Sequence, residues 1–142
     1  TIFGNKVEKQ IQGLDLRALE EIITNYKTSY KNRFIIKNGE HLKAVPINNI
    51  LYFFSREKGT FIQTDDNRRY LLDYTMDQAE KILDPTLFFR INRQYIVSFE
   101  AITDMVSYTN SRIKLILQNS TDEKDIIVSR EKVSDFKRWM GK

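Results

Sequence analysis

The stretch FFRINRQYIVS, residues 88–98, places two arginines and an asparagine among aromatic and β-branched residues that are typical of a strand. A buried strand would be apolar throughout, and a solvated strand would not need the Phe-Phe and Ile-Val pairs on either side. The pattern therefore predicts two short apolar segments, residues 87–89 and 95–97, that anchor a polar turn. Asn92 and Arg93 are expected to point outward from that turn.

Short runs of the same β type recur along most of the chain, separated by turn residues. They lie at residues 33–37, 42–45, 50–55, 60–64, 69–72, 113–117 and 125–128. Hairpin turns are predicted at Asn38-Gly39 and at Asn110-Ser111. Because the strands do not alternate regularly with helices, the fold is expected to be a mostly antiparallel sheet structure.

A first amphipathic helix is predicted over residues 15–30, with Asp15 as its N-cap. Its apolar face covers about two heptads, which is too short a seam to argue for a coiled coil. Three interpretations stay open for this helix. It packs on its own domain or a linker, it contacts a second copy of the chain, or it is disordered without its native neighbour.

Two further helices follow from capping signals. Thr75 and Gln78 form a capping box that begins a short internal helix, and Asp77 is expected to interact favourably with its dipole. Ser129 is expected to cap a closing helix, and Gly141 stands where that helix ends.

The inventory of side chains excludes most catalytic and metal-binding classes. The 142 residues contain no cysteine and a single histidine, His41, which is interpreted as a solvated hairpin residue, and the five glycines form no phosphate-binding pattern. We therefore expect no enzyme, no catalytic residue, no metal and no cofactor. No apolar run approaches the roughly 20 residues that cross a bilayer, which predicts a cytoplasmic protein without a membrane contact. The chain begins at Thr1 and is interpreted as a fragment.

Cations in the predicted loops are the remaining functional candidates. The net charge is +4, which favours an anionic partner. Lys and Arg recur at the strand ends with Asn and Gln beside them, as expected of a surface that contacts phosphates and base edges. Arg130 lies in a predicted first helical turn, where the dipole disfavours a cation. The residues alone leave two classes open: nucleic-acid binding, and a β-rich protein-interaction or dimerisation module without DNA binding.

Three blocks of sequence together resemble the LytTR family of bacterial DNA-binding domains. They are ILYFFSREKGTFIQT (residues 50–64), FFRINRQYIVS (residues 88–98) and DIIVSREKVSDFKRW (residues 125–139), and they occur in the order and at the spacing of the family. The resemblance implies about ten short, largely antiparallel strands in stacked sheets with little helix. It also implies sequence-specific binding of double-stranded DNA through loops that enter successive major grooves.

The resemblance also implies which residues contact DNA. The candidates are Lys58, Thr60, Asn92, Arg93, Ser129 and Arg130, followed by Arg56, Arg90 and Lys132. Asn92 stands where the family usually has histidine, and Ser98 stands where it usually has asparagine. Arg90 is expected to pair with a carboxylate at the sheet edge, and Arg93 is expected to meet a base.

The resemblance further implies a domain plan and a set of partners. Residues 1–32 are assigned to a connector and residues 33–142 to the DNA-binding domain. The expected partners are double-stranded DNA with promoter direct repeats, an upstream receiver domain of a two-component phosphorelay, and a second copy of the chain on DNA. The protein would then be the effector part of a transcriptional response regulator.

Overall fold

The computed structural model describes residues 16–20, 30–121 and 124–141. The chain divides into two compact units, Thr1–Tyr30 and Lys31–Lys142. Residues 16–20 of the first unit are helical. The remainder of the predicted first helix, apart from Tyr30, lies outside the described residues.

The described part of the second unit contains ten strands, and all of their pairings are antiparallel. They are β1 (Arg33–Asn38), β2 (His41–Pro46), β3 (Ile50–Arg56), β4 (Gly59–Thr64), β5 (Arg69–Leu72), β6 (Phe88–Arg90), β7 (Tyr95–Ser98), β8 (Ile102–Tyr108), β9 (Arg112–Leu117) and β10 (Ile126–Val128). They form a β1-β2 sheet, a β5-β4-β3-β7-β6 sheet and a β10-β9-β8 sheet. The mostly β, largely antiparallel fold is confirmed.

Two α-helices lie in the described part of this unit: α1 (Met76–Ile82) and α2 (Val133–Met140). The capping box that begins α1 is confirmed, because Thr75 and Gln78 each accept the other's backbone N–H. Ser129 was expected to cap the closing helix with its hydroxyl, and this is wrong. It precedes the 3₁₀ turn Arg130–Lys132, and its side chain makes no cap hydrogen bond.

The tight turns follow the backbone preferences of their residues. Asn110-Ser111 turns the β8–β9 hairpin as predicted, with both φ angles positive. The first hairpin turns one residue later than expected, because Asn38 pairs with His41 and only Gly39 of that turn has a positive φ. Glu57-Lys58 forms the two-residue turn between β3 and β4, with φ angles of 50° and 68°. Lys58 is thereby placed at the tip of a hairpin.

The five-stranded sheet is buried on both faces, which explains the unbroken apolar run in β3. Phe53 is fully buried in the first core cluster, with its ring 5.5 Å from that of Phe34 and 5.5 Å from that of Phe88. Its neighbours Tyr52 and Phe54 enter a second cluster, which also contains β9, β10 and α2. Successive side chains of a strand point to opposite faces, so both faces of β3 pack against core. The loops at the ends of this sheet are therefore attached to a core that is packed on both faces.

Candidate nucleic-acid interface

Two loops leave the same end of the five-stranded sheet because β3 pairs with both β4 and β7. Ser55 lies opposite Thr60 on one side, and Phe54 lies opposite Tyr95 on the other. The β3–β4 turn and the β6–β7 loop, residues 91–94, are therefore neighbours. The backbone N–H of Ser55 donates to the carbonyl of Gln94 at 2.9 Å and joins them directly.

A third loop, residues 129–132 after β10, is attached to the β6–β7 loop from the other side. The backbone N–H of Ser129 donates to the Ile91 carbonyl at 3.0 Å, and the Ser129 hydroxyl donates to the same oxygen at 3.2 Å. The Asn92 amide donates to the carbonyl of Ile127 at 2.7 Å. We call residues 55–59, 91–94 and 129–132 together the loop surface.

Asn92 uses most of its hydrogen-bonding capacity inside the protein. Its Oδ1 accepts from the backbone N–H of Gln94 at 2.7 Å and from that of Tyr95 at 2.9 Å, while its Nδ2 donates to Ile127. Such local bonding lets asparagine replace a backbone partner in a turn. One amide N–H is left over. Asn92 was expected to point outward from the turn, and this is wrong, because its side chain bonds to the backbone of its own loop and of β10.

Arg90 spreads its guanidinium over four oxygen atoms. Its Nη1 contacts Asp77 at 2.6 Å and Glu80 at 3.0 Å, both on α1. Its Nε donates to the Asn92 carbonyl at 3.1 Å, and its Nη2 donates to the Arg93 carbonyl at 2.8 Å. Only 13% of the side chain is exposed. The prediction that Arg90 pairs with a carboxylate is confirmed, and the structure shows two such partners, Asp77 and Glu80.

The hydrogen bond from Arg90 to Asp77, and then the charge of Arg90, lower the pKa of the Asp77 carboxyl below its ordinary value. A carboxylate that accepts a charge-assisted hydrogen bond is favoured in its ionised form. The Arg90–Asp77 contact is therefore ionic near neutral pH. Sequence reasoning placed Asp77 at the start of a helix for its dipole and missed this partner. The three-residue spacing of Asp77 and Glu80 was the available signal, because it puts both on one side of a helix.

The exposed cations of the loop surface face solvent. Arg93 and Arg130 are exposed, and within the described part of the chain neither side chain makes a hydrogen bond or ion pair. Lys58 is exposed at its hairpin tip, and the Arg56 guanidinium lies over the Phe54 ring with 5.2 Å to the ring centroid. Lys132 is half-buried. The loop surface thus carries these five cations against Glu57 and Glu131.

Arg93 connects the two halves of this surface. One surface depression is lined by Arg93 together with Arg56 and Lys58. A neighbouring depression is lined by Arg93 together with Ser129 and Lys132. Arg93 of the β6–β7 loop therefore lies between the β3–β4 turn and the loop after β10.

Thr60 does not belong to this surface. It is 6% exposed and pairs with Ser55 as the second residue of β4. The strand predicted over residues 60–64 is therefore confirmed at Thr60, whereas the resemblance counts Thr60 among the residues of the DNA-contacting loop, and this position is wrong because the turn closes over Glu57-Lys58 alone. The remaining candidates, Lys58, Asn92, Arg93, Ser129 and Arg130, lie in loops that are joined by hydrogen bonds.

The described residues 16–20, 30–121 and 124–141 hold no cluster of three or more potential metal ligands. Among the same residues, no helix is long and apolar enough to cross a bilayer.

The chain is similar to bacterial transcriptional regulators. It is 31% identical over 101 residues to the transcriptional regulatory protein YpdB of Escherichia coli O6:H1, a match that covers 71% of this chain and 40% of that protein. It is 25% identical over 137 residues to the transcriptional regulatory protein LytR of Staphylococcus aureus RF122, covering 96% of this chain and 54% of LytR. The chain thus spans about half the length, or less, of these relatives.

The fold is similar to that of a solved structure from Bacillus cereus, the LytTr DNA-binding domain of a putative methyl-accepting/DNA response regulator. The TM-score is 0.67 at 22% sequence identity, and the match covers 79% of this chain and 99% of that domain. The family model of the LytTr DNA-binding domain matches residues 40–141. That match includes the β3–β4 turn, the β6–β7 loop and the loop after β10. The chain therefore belongs to the LytTR family of DNA-binding domains.

Proposed function

We propose that this chain binds double-stranded DNA sequence-specifically through the loop surface, as the effector domain of a transcriptional response regulator. The observation that carries the proposal is the joining of three cation-bearing loops at one end of a sheet that is buried on both faces. Family membership supports it, since the matched model is that of a DNA-binding domain. The three loops provide separate points of entry, which suits contact with successive major grooves on one side of the duplex.

The roles of the cations follow from their surroundings. Arg93 and Arg130 are assigned to base edges, because an exposed guanidinium can donate two parallel hydrogen bonds to guanine. Lys58, Arg56 and Lys132 are assigned to phosphates, where a positive charge suffices. Asn92 has already used three of its four hydrogen-bonding positions within the protein, and Ser129 has used its one hydroxyl donor. Their contribution to DNA binding is therefore to shape the loops.

The closing helix does not need to enter a groove. Phe136 of α2 is 1% exposed, and its ring lies 5.6 Å from that of Phe89. Trp139 lies 5.5 Å from the same Phe89 ring. The apolar face of α2 thus packs on the core, and the cations that we assign to the bases lie in the loops.

The wider protein is proposed from its relatives. We infer that an upstream receiver domain of a two-component system regulates this domain and that the whole protein works in the cytoplasm. We also infer that two copies bind a promoter with direct repeats. Analytical ultracentrifugation with duplexes carrying one or two half-sites tests the last point. Two copies should bind the double site, and a second copy that never joins would contradict this arrangement.

The function itself is tested by titrating duplex DNA at several salt concentrations. Each phosphate neutralised by Lys or Arg should contribute about −0.9 to the slope of log affinity against log salt. A slope near zero would contradict the proposal. The alternative, a protein-interaction module without DNA binding, predicts that Arg93→Ala and Arg130→Ala leave DNA affinity unchanged while the chain dimerises with concentration.

Arg68→Ala is the matched control for these variants. Arg68 is exposed in the β4–β5 turn, residues 65–68, which lies at the opposite end of the sheet. Its removal changes the net charge as much as the removal of Arg93 does. If Arg68→Ala weakens DNA binding as much as Arg93→Ala, the net charge rather than the loop surface determines affinity.

A further inference from the structure

The β6–β7 loop that carries Arg93 is held by Arg90, whose own side chain is largely covered. We propose that Arg90 is a positioning residue that determines the sequence discrimination of the domain by fixing this loop against α1, without touching DNA. The inference rests on the proposed function, because it explains how the domain distinguishes one DNA sequence from another.

The geometry of Arg90 suits this role better than DNA contact. All three of its guanidinium nitrogens are engaged within the protein, two of them with the consecutive carbonyls of Asn92 and Arg93. Four of its five N–H groups are used in this way, so a phosphate or base could accept at most one hydrogen bond from Arg90 without displacing a partner. A planar fork holds two acceptors in a fixed relation, which a lysine ammonium cannot do.

The anchor of this arrangement is the short helix α1. Met76 and Ala79 of α1 are buried in the first core cluster, so the helix is fixed to the sheet. Asp77 and Glu80 lie on the other side and receive the Nη1 of Arg90. The Arg90 side chain thereby fixes the position of the β6–β7 loop backbone relative to the core.

Asn92 provides a second attachment on the opposite side of the loop. Its bond to Ile127 fixes the loop to β10, and the bonds of Ser129 to Ile91 fix the start of the next loop. Arg90 and Asn92 together therefore set the distance between the backbones that carry Arg93 and Arg130. Base recognition needs such groups held to within roughly 0.5 Å.

Arg90 also offsets part of the negative charge of two carboxylates beside the loop surface. Asp77 and Glu80 both line the depression that contains Arg93 and Lys132. Positioning and charge can be separated, because removing the two carboxylates has opposite effects under the two explanations. Less negative charge near DNA strengthens binding to every sequence alike, whereas a released loop weakens the preference for one sequence over another.

The test uses a duplex that the wild-type chain enriches from a randomised library, and a scrambled duplex of the same length and composition. The measured quantity is the ratio of the two affinities, together with the salt slope. Arg90→Lys should lower the ratio about tenfold, the value of roughly one good base contact, with the salt slope unchanged. Arg90→Gln removes the positive charge and should also leave the salt slope unchanged. A slope that falls in magnitude by about 0.9 in Arg90→Gln would instead show that Arg90 contacts a phosphate and would overturn the proposal.

The double variant Asp77→Asn/Glu80→Gln is the second arm. We expect this variant to bind the scrambled duplex at least as well as the wild type does. The ratio of its affinities for the selected and scrambled duplexes should nevertheless be lower than in the wild type. If both affinities rise by the same factor, the carboxylates act through charge alone and the proposal fails. This variant changes exposed carboxylates, so it carries the test if Arg90→Lys fails to fold.

Hydrogen exchange provides a readout that does not depend on DNA. The backbone N–H groups of Gln94 and Tyr95 are bonded to Asn92 and should exchange faster in Arg90→Lys, with the core strands unchanged. Unchanged exchange in a folded variant with an unchanged ratio would contradict the positioning role. A wild-type salt slope of zero would remove the proposed function itself, whereas a normal slope with an unaffected ratio removes this inference alone.

Discussion

The two ends of the five-stranded sheet both carry arginines, but the arginines meet different surroundings. At the end that bears the loop surface, Arg93 and Arg130 face solvent without an ion pair in the described part of the chain. At the other end, which we call the turn end, Arg68 pairs with Asp66 at 3.4 Å and Arg69 donates to the Thr121 hydroxyl. Positive charge at a strand end is therefore a poor marker of a binding surface by itself. The two ends differ in whether these arginine side chains have a bonding partner within the described part of the chain.

Asparagines show the same contrast. At the loop surface, Asn92 accepts two backbone N–H bonds and joins the β6–β7 loop to β10. At the turn end, Asn49 donates to the exposed carboxylate of Asp65 at 3.1 Å. One asparagine organises backbone groups that would otherwise lack partners, and the other makes a solvated side-chain contact. The asparagine at the end that we assign to DNA thus makes more hydrogen bonds to the backbone than the asparagine at the turn end.

The largest effect is expected from breaking the sheet that both ends share. Phe53→Ala should lower the free energy of unfolding by about 3–5 kcal/mol, because it removes a buried ring that contacts Phe34 and Phe88. Chemical denaturation measures this. Leu42→Ala is the control, since Leu42 is 75% exposed and its loss should matter little. Equal effects of the two variants would contradict the described core.

The next largest effect separates the two ends directly. Arg93→Ala should weaken binding to the selected duplex by about 1–3 kcal/mol and relax the preference at one base pair. Arg68→Ala should leave that preference as it is, because its guanidinium is paired within the turn end. Competition titrations with single-base variants of the duplex measure both. A relaxed base preference in Arg68→Ala would reverse the assignment of the two ends.

A comparable effect on stability is expected from the asparagines. Asn92→Ala leaves the backbone groups of Gln94, Tyr95 and Ile127 without their partner and should cost about 1–3 kcal/mol of unfolding free energy. Asn49→Ala removes an exposed contact and should cost less than about 0.5 kcal/mol. Thermal unfolding of the two variants side by side gives the comparison. Equal losses would show that the loop attachment at Asn92 is not structural.

The smallest effect concerns protonation. The folded pKa of Asp77 is lowered, first by the hydrogen bond from Arg90, so its contribution to stability is present above the ordinary carboxyl pKa of about 3.9. That contribution is lost as the pH falls from there through the lowered folded value. Arg90→Gln should raise the pKa of Asp77 towards its ordinary value.

Asp66 at the turn end is the matched control for this titration. Its pKa is lowered mainly by the Thr64 hydroxyl, so Arg90→Gln should leave it unchanged. Carbon-13 NMR of the carboxyl groups follows both residues in one sample. A shift of both, or of neither, would contradict the local origin assigned to the Asp77 shift.

Local signals in the sequence were sufficient for much of the fold. The capping box at Thr75 and the turn at Asn110-Ser111 depend on neighbouring residues, and both lie where they were expected. Thr60 shows a limit of the family resemblance. The resemblance counts Thr60 among the loop contacts, but Glu57-Lys58 adopts positive φ angles without glycine, so the turn closes early and Thr60 lies in β4, as the β-type run of residues 60–64 predicts.

The site was harder to predict because its contacts join distant parts of the chain. Arg90 was expected to find a carboxylate, but its partners lie on a helix 10 and 13 residues away. The bond from Asn92 to Ile127 spans 35 residues. Such pairs depend on how the sheets stack, which no local pattern specifies. The resemblance to a family identified the loops, and only the structure separates the residues that hold them from those that project.

The most direct test is to map where DNA contacts the protein. Backbone amide shifts of the wild-type chain should be recorded by NMR while the selected duplex is added. The largest changes are expected at Lys58, Arg93 and Arg130 and their loop neighbours, with little change in residues 65–68 of the turn end. Changes centred on residues 65–68, or none at the loop surface, would contradict the assignment of DNA binding to these three loops.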